Sequence, residues 1–145
     1  MAEPQPTQLT QERIQRAVSE VAQNDARILA VYLFGSRTKG EEHARSDVDL
    51  AVLFDKPCSL PALVDLEIQF EDALGTKVDL VDLGKVRPFL ALDVIRGERL
   101  VCRDSKRCDE FDLYVLRRAG DLAPLERERR RMLLDPARYS TAAET

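Results

Sequence analysis

Ten residues separate the pair Gly35-Ser36 from Asp47, and Val48 alone separates Asp47 from Asp49. Each residue type has a chemical use at that spacing. Glycine accepts positive φ and lets a backbone approach a ligand more closely than a side chain would allow. A serine directly after it, at the start of a helical turn, offers its hydroxyl beside free backbone N–H groups, a combination that binds phosphate. Two aspartates two positions apart on a strand project their carboxylates from one face. Such a pair is unfavourable unless a cation lies between the charges. Hard oxygen donors of this kind suit Mg²⁺, which fills the rest of its shell with water and substrate phosphates.

A triphosphate cradle beside a dicarboxylate metal site points to nucleotidyl transfer, a reaction that calls for a third carboxylate nearby. Lys77 to Leu83 reads as a short β-branched strand after a Gly75-Thr76 turn, with Asp79 in its middle. Asp79 is the candidate, and Asp82 competes with it. Alternation puts the two on opposite faces of the strand, so only one can join the site. The expected reaction is attack by an acceptor hydroxyl on the α-phosphate of a bound nucleotide, with pyrophosphate leaving in line and two Mg²⁺ ions held by Asp47, Asp49 and Asp79. Asp79 would also take the hydroxyl proton, directly or through water. Gly35 and Ser36 would hold the β- and γ-phosphates, and Arg37 and Lys39 are candidates to neutralise them. His43, the one histidine, either touches phosphate or is a solvated loop residue.

The elements that must position these residues are legible on either side. Ile28 to Phe34 is an unbroken apolar run leading into the glycine, and Val48 to Phe54 carries the aspartates into a second buried strand. Ahead of them, Thr10 can cap a helix whose Ile14, Ala17, Val18 and Val21 recur at helical spacing. Pro57 ends the second strand. Leu63, Leu66, Ile68, Phe70 and Leu74 then predict a helix over 60–74, with Asp65, Glu67, Glu71 and Asp72 on a solvated polar face. A short helix over 89–95 closes at Gly97, Leu100 to Cys102 can add a strand, and 108–119 reads as a further helix. The basic stretch 125–134, with Arg127, Arg129, Arg130 and Arg131, reads as a solvated face that could also meet phosphate or a partner. Together these predict an α/β (α+β) chain with a small mixed sheet flanked by helices: a lead-in over 1–9 without fixed structure, one domain over 10–134, and a flexible tail over 135–145.

At 145 residues there is room for one real core but not for a second substrate-binding domain of ordinary size. A net charge of −4 gives no global basic surface, so direct nucleic-acid binding is not expected. Cys58, Cys102 and Cys108 are odd in number and lack Cys-x-x-Cys spacing, which predicts reduced thiols in a cytoplasmic protein. No run is long enough for a membrane span and no signal-peptide pattern opens the chain.

Gly35-Ser36, ten residues, Asp47-x-Asp49 and a later strand aspartate at Asp79 resemble the DNA polymerase β nucleotidyltransferase superfamily. Within it, the short chain is most similar to the MntA-like minimal nucleotidyltransferases, antitoxins paired with HEPN-domain toxins. The resemblance runs from about Ile28 to Arg103, and its core pattern is far more specific than a lone glycine-rich loop. It implies a polymerase β-like fold, ATP as the nucleotide, and transfer of AMP to a tyrosine hydroxyl of a cognate HEPN ribonuclease toxin, which neutralises it. Two other readings stay open. One is an antidote that binds the toxin without catalysis; the other is transfer to a small-molecule hydroxyl.

Overall fold

The computed structural model describes residues 10–35 and 48–134. The two terminal segments expected to lack fixed structure, 1–9 and 135–145, lie outside the described residues, as do Ser36, Arg37, Lys39, His43 and Asp47.

Helix α1 (Gln11–Gln23) begins at Thr10, whose hydroxyl accepts a hydrogen bond from the Arg13 N–H at 3.2 Å. That bond satisfies one of the donors a helix start leaves unpaired. Ile14, Ala17, Val18 and Ala22 form its buried stripe, with Val21 packed at the margin. The chain then enters β1 (Ile28–Phe34), in which every residue is buried. An unbroken apolar run fits a strand covered on both faces, and β1 is the inner strand between β2 (Val48–Phe54) and β4 (Glu98–Cys102). It runs antiparallel to both.

Helix α2 (Leu60–Leu74) is capped by Ser59, which accepts from the Ala62 N–H, and is closed by Gly75 in the left-handed conformation at φ 68°. It buries Leu66, Phe70 and Leu74. Ile68, expected in the core, is half exposed and shares the solvent side with Leu60 and Val64. Crossing over through α2, the chain forms β3 (Val78–Asp82) parallel to β2, which gives the mixed order β3-β2-β1-β4. Helix α3 (Pro88–Ile95) leads into β4, and α4 (Ser105–Leu134) follows.

Two stretches differ from the sequence expectation. β4 starts at Glu98 because Leu33 pairs with it, two positions earlier than the apolar run suggests. The segments 108–119 and 125–134 are one 30-residue helix, with Pro124 inside it. Proline removes a single N–H from the helix ladder, and no glycine in the left-handed conformation follows to stop the helix.

The sheet separates two apolar layers. α1 and α2 pack on the face carrying Val31, Leu33, Val48, Leu50, Val52, Val78 and Leu80. α3 and the first half of α4 pack on the face carrying Ala30, Tyr32, Phe34, Ala51 and Leu53. Both sheet edges are covered by helix side chains. The Val78 and Leu80 N–H groups of β3 donate to Glu71 and Glu67, each at 3.1 Å. At the other edge, the Gln15 amide donates to the Leu100 carbonyl at 2.6 Å. Glu67 and Glu71 therefore are not mere solvated surface, because they close an edge that would otherwise pair with another strand. Among the described residues no helix is long and apolar enough to cross a membrane. The three cysteines are free, and burial beside Cys102 pushes the Cys108 thiol up to about 12.

One polar contact crosses the second layer. Tyr32, 1% exposed, donates its hydroxyl to Asp112 of α4 at 2.6 Å, and Arg99 of β4 reaches both Asp109 and Asp112. Burial, and then the Asp112 bond, push the Tyr32 phenol well above the ordinary tyrosine range. The folded state thus holds this proton more tightly than the unfolded chain does. The resulting stabilisation is fully present below about pH 10, the unfolded value, and is lost as pH rises past it. Tyr32→Phe is expected to cost about 1–2 kcal/mol at neutral pH and to flatten the alkaline loss of stability above about pH 10, both read from urea titrations. An alkaline slope equal to the parent's would assign that transition to another group.

Candidate active site

The end of β1 and the beginnings of β2 and β3 meet at one end of the sheet. Phe34 pairs with Asp49 across β1 and β2, and Asp49 pairs with Asp79 across β2 and β3. The three residues form a single row across adjacent strands. Alternation assigns the faces: Ala51 and Leu53 pack into the layer under α3 and α4, and Val81 packs against it. Asp49 and Asp79 share parity with them and lie on that face, on strands that run about 4.8 Å apart. Asp49 is half-buried and Asp79 is exposed.

Gly35 closes the row. It has φ +80°, and a Cβ built on it would overlap the Asp49 carboxylate, lying 3.2 Å from Cγ and far closer to Oδ2. Only a residue without a side chain fits against that carboxylate, and the positive φ is the one the sequence reading allows this glycine. A second close approach fixes the floor. A Cβ at Gly97, where the chain passes from α3 to β4, would overlap the Leu33 carbonyl and lie 3.2 Å from Phe34 Cα.

The structure separates the two competing aspartates. Asp79 lies beside Asp49, whereas Asp82 is 8% exposed and accepts the Gly84 N–H at 3.0 Å. Its other oxygen lies 3.8 Å from the Lys85 ammonium, which also donates to the Cys58 carbonyl at 2.7 Å. Asp82 therefore shapes the turn after β3, at the far end of that strand.

Of the expected site residues, Gly35, Asp49 and Asp79 come together. Ser36, Arg37, Lys39 and Asp47 lie outside the described residues. Among the described residues no three His, Cys, Asp or Glu side chains stand close enough to hold a metal ion. Asp49 and Asp79 do supply two adjacent hard oxygen donors, which suits Mg²⁺ chemistry. The sequence reading overlooked Lys77, which lies two positions before Asp79 and immediately ahead of β3. The alternation that selects Asp79 would also have selected it.

The chain is similar to known proteins over this whole region. The family model described as polymerase beta, nucleotidyltransferase matches residues 16–106. The protein adenylyltransferase MntA of Shewanella oneidensis is 31% identical over 122 residues, covering 83% of this chain and 84% of the relative. Among solved structures, a toxin–antitoxin with AMP-PNP superposes with a TM-score of 0.74 at 24% identity, covering 83% of this chain and 98% of that one. A tri-AMPylated Shewanella oneidensis HEPN toxin in complex with its MNT antitoxin contains a chain that superposes with a TM-score of 0.71 at 21% identity, covering 87% and 100%. At those identities the superpositions establish the shared fold. Because the matched stretch runs from α1 into the first turn of α4, and so holds every strand of the sheet, the chain belongs to the polymerase beta nucleotidyltransferase family.

Proposed function

We propose that this chain transfers AMP from ATP to a tyrosine hydroxyl of a cognate HEPN ribonuclease toxin in the cytoplasm, and so neutralises it. The observation that carries the reading is the Phe34–Asp49–Asp79 row with Gly35 pressed against the Asp49 carboxylate. The relative that matches over most of its length is named a protein adenylyltransferase, and a structural neighbour is an antitoxin bound to an AMPylated HEPN toxin. Three reduced cysteines are in keeping with a reducing compartment.

In this reading the tyrosyl oxygen attacks the α-phosphorus, the bond from that phosphorus to the bridging oxygen breaks, and pyrophosphate leaves. Asp79 takes the phenolic proton, directly or through one water. Gly35 and Ser36 seat the β- and γ-phosphates, with Arg37 and Lys39 offsetting their charge. Asp47, Asp49 and Asp79 would hold two Mg²⁺ ions, which when bound offset the charge that develops between the attacking and leaving oxygens.

The test is the intact mass of the neighbouring-gene protein after incubation with this chain, ATP and Mg²⁺. A gain in whole AMP units supports the reading. Tight binding without a gain indicates an antidote that works by binding alone, and neither result redirects the search to small-molecule acceptors.

Two substitutions separate the paired aspartates of β3. Asp79→Asn is expected to lower the transfer rate by about 10²- to 10³-fold with the urea midpoint unchanged. Asp82→Ala is expected to cost about 1–2 kcal/mol of stability while the folded fraction still transfers AMP. The opposite pattern would hand the third-carboxylate role to Asp82. Gly35→Ala combines positive φ with overlap on Asp49 and is expected to lose about 1–3 kcal/mol of stability together with nucleotide affinity. Parent-level affinity by calorimetry would mean that the turn does not seat the nucleotide.

A further inference from the structure

We propose that Lys77 is the cation that meets the α-phosphoryl group of the bound nucleotide from the acceptor side; this rests on the adenylyl-transfer reading above. The strands give the row a direction. Gly35 ends β1, Asp49 is on β2, and Asp79 is on β3, the strand furthest from Gly35. With the β- and γ-phosphates at Gly35 and the proton acceptor at Asp79, the reacting phosphorus lies between them and the acceptor enters over β3.

Lys77 stands at that entrance. It is the residue immediately before β3, two positions ahead of Asp79. Its backbone is fixed, since its carbonyl accepts the Val48 N–H at 3.0 Å and the chain reaches it through the left-handed turn at Gly75. The side chain is exposed and, among the described residues, has no carboxylate partner. The two glutamates of α2 nearest to it are already engaged by the Val78 and Leu80 N–H groups. A lysine two positions ahead of Asp79, with the neighbouring acids of α2 engaged elsewhere, is a cation available to an anion that arrives.

The arriving charge is on the α-phosphoryl group. As the tyrosyl oxygen bonds to phosphorus and the bridging oxygen departs with pyrophosphate, negative charge is carried by the non-bridging oxygens. An ammonium on the acceptor side stabilises that arrangement and screens the incoming oxygen from Asp49 and Asp79. The contrasting role for a lysine on an outer strand is to discourage pairing with another strand. That role would leave turnover untouched.

The test uses the full chain with its cognate toxin and compares the parent with Lys77→Met and Lys77→Arg. Lys77→Met is expected to lower kcat by about 10²-fold. Its affinity for α,β-methylene-ATP, measured by calorimetry, should stay within about threefold, because the interaction grows in the transition state. Lys77→Arg keeps the charge and should recover most of the rate. Parent-level kcat in Lys77→Met overturns the assignment, and so does an equal loss in Met and Arg variants of parent-like thermal stability. A parent chain that transfers no AMP removes the adenylyl-transfer reading and this inference with it. An active parent with an equally active Lys77→Met removes the inference alone.

Discussion

Two carboxylates held side by side on neighbouring strands repel each other, and the remainder of the fold is what keeps them there. Asp49 and Asp79 occupy one rung of the parallel β2–β3 pair, on a face otherwise devoted to apolar packing. Their separation is set by the strand spacing, not by side-chain choice, so neither can move away without breaking the register. β1 enforces that register from the other side. All seven of its residues are buried, and a slip by one position would turn each core layer over to the opposite face. The unfavourable charge pair is thus borne by two apolar layers, one under each pair of helices.

The same constraint explains why the sheet edges are closed with care. β3 holds Asp79 and is also an outer strand, the position most exposed to unwanted pairing. Glu67 and Glu71 occupy its outward N–H groups, which ties the strand to α2 at two successive rungs. At the opposite edge Gln15 and Arg99 serve comparable ends. The first binds a free carbonyl of β4, and the second links β4 to α4 through Asp109 and Asp112. Tyr32 completes that link from the centre of the sheet. Polar side chains at the margins therefore hold a sheet whose interior is almost wholly apolar.

The parts legible in the sequence were those with a local cause. Apolar runs gave β1 and β2, Thr10 and the spacing from Ile14 gave α1, and Gly35 takes the positive φ its type allows. Alternation reduced the third carboxylate to Asp79 or Asp82. Which of them lies beside Asp49 is set by the register of β3 against β2, a contact between residues 30 positions apart that no local pattern contains. The misread features were of the same kind. Ile68 faces solvent because the sheet admits only the stripe through Leu66, Phe70 and Leu74. Glu67 and Glu71 looked idle because the edge they close is formed by a later segment. Two separate helical signals proved to be one α4, since Pro124 marks a missing donor and not a helix end.

A division of labour between strand and connection follows from these positions. Asp49 and Asp79 sit on strands, where the backbone pairing on both sides of β2 fixes their register. The residues proposed to manage phosphate charge, Ser36, Arg37 and Lys39, belong to the connection between β1 and β2. Lys77 stands immediately before β3, and its backbone is tied to β2 through the Val48 N–H. In the proposed reaction, charge on the strands would address the reacting phosphorus, whereas charge on the connection would address the leaving group.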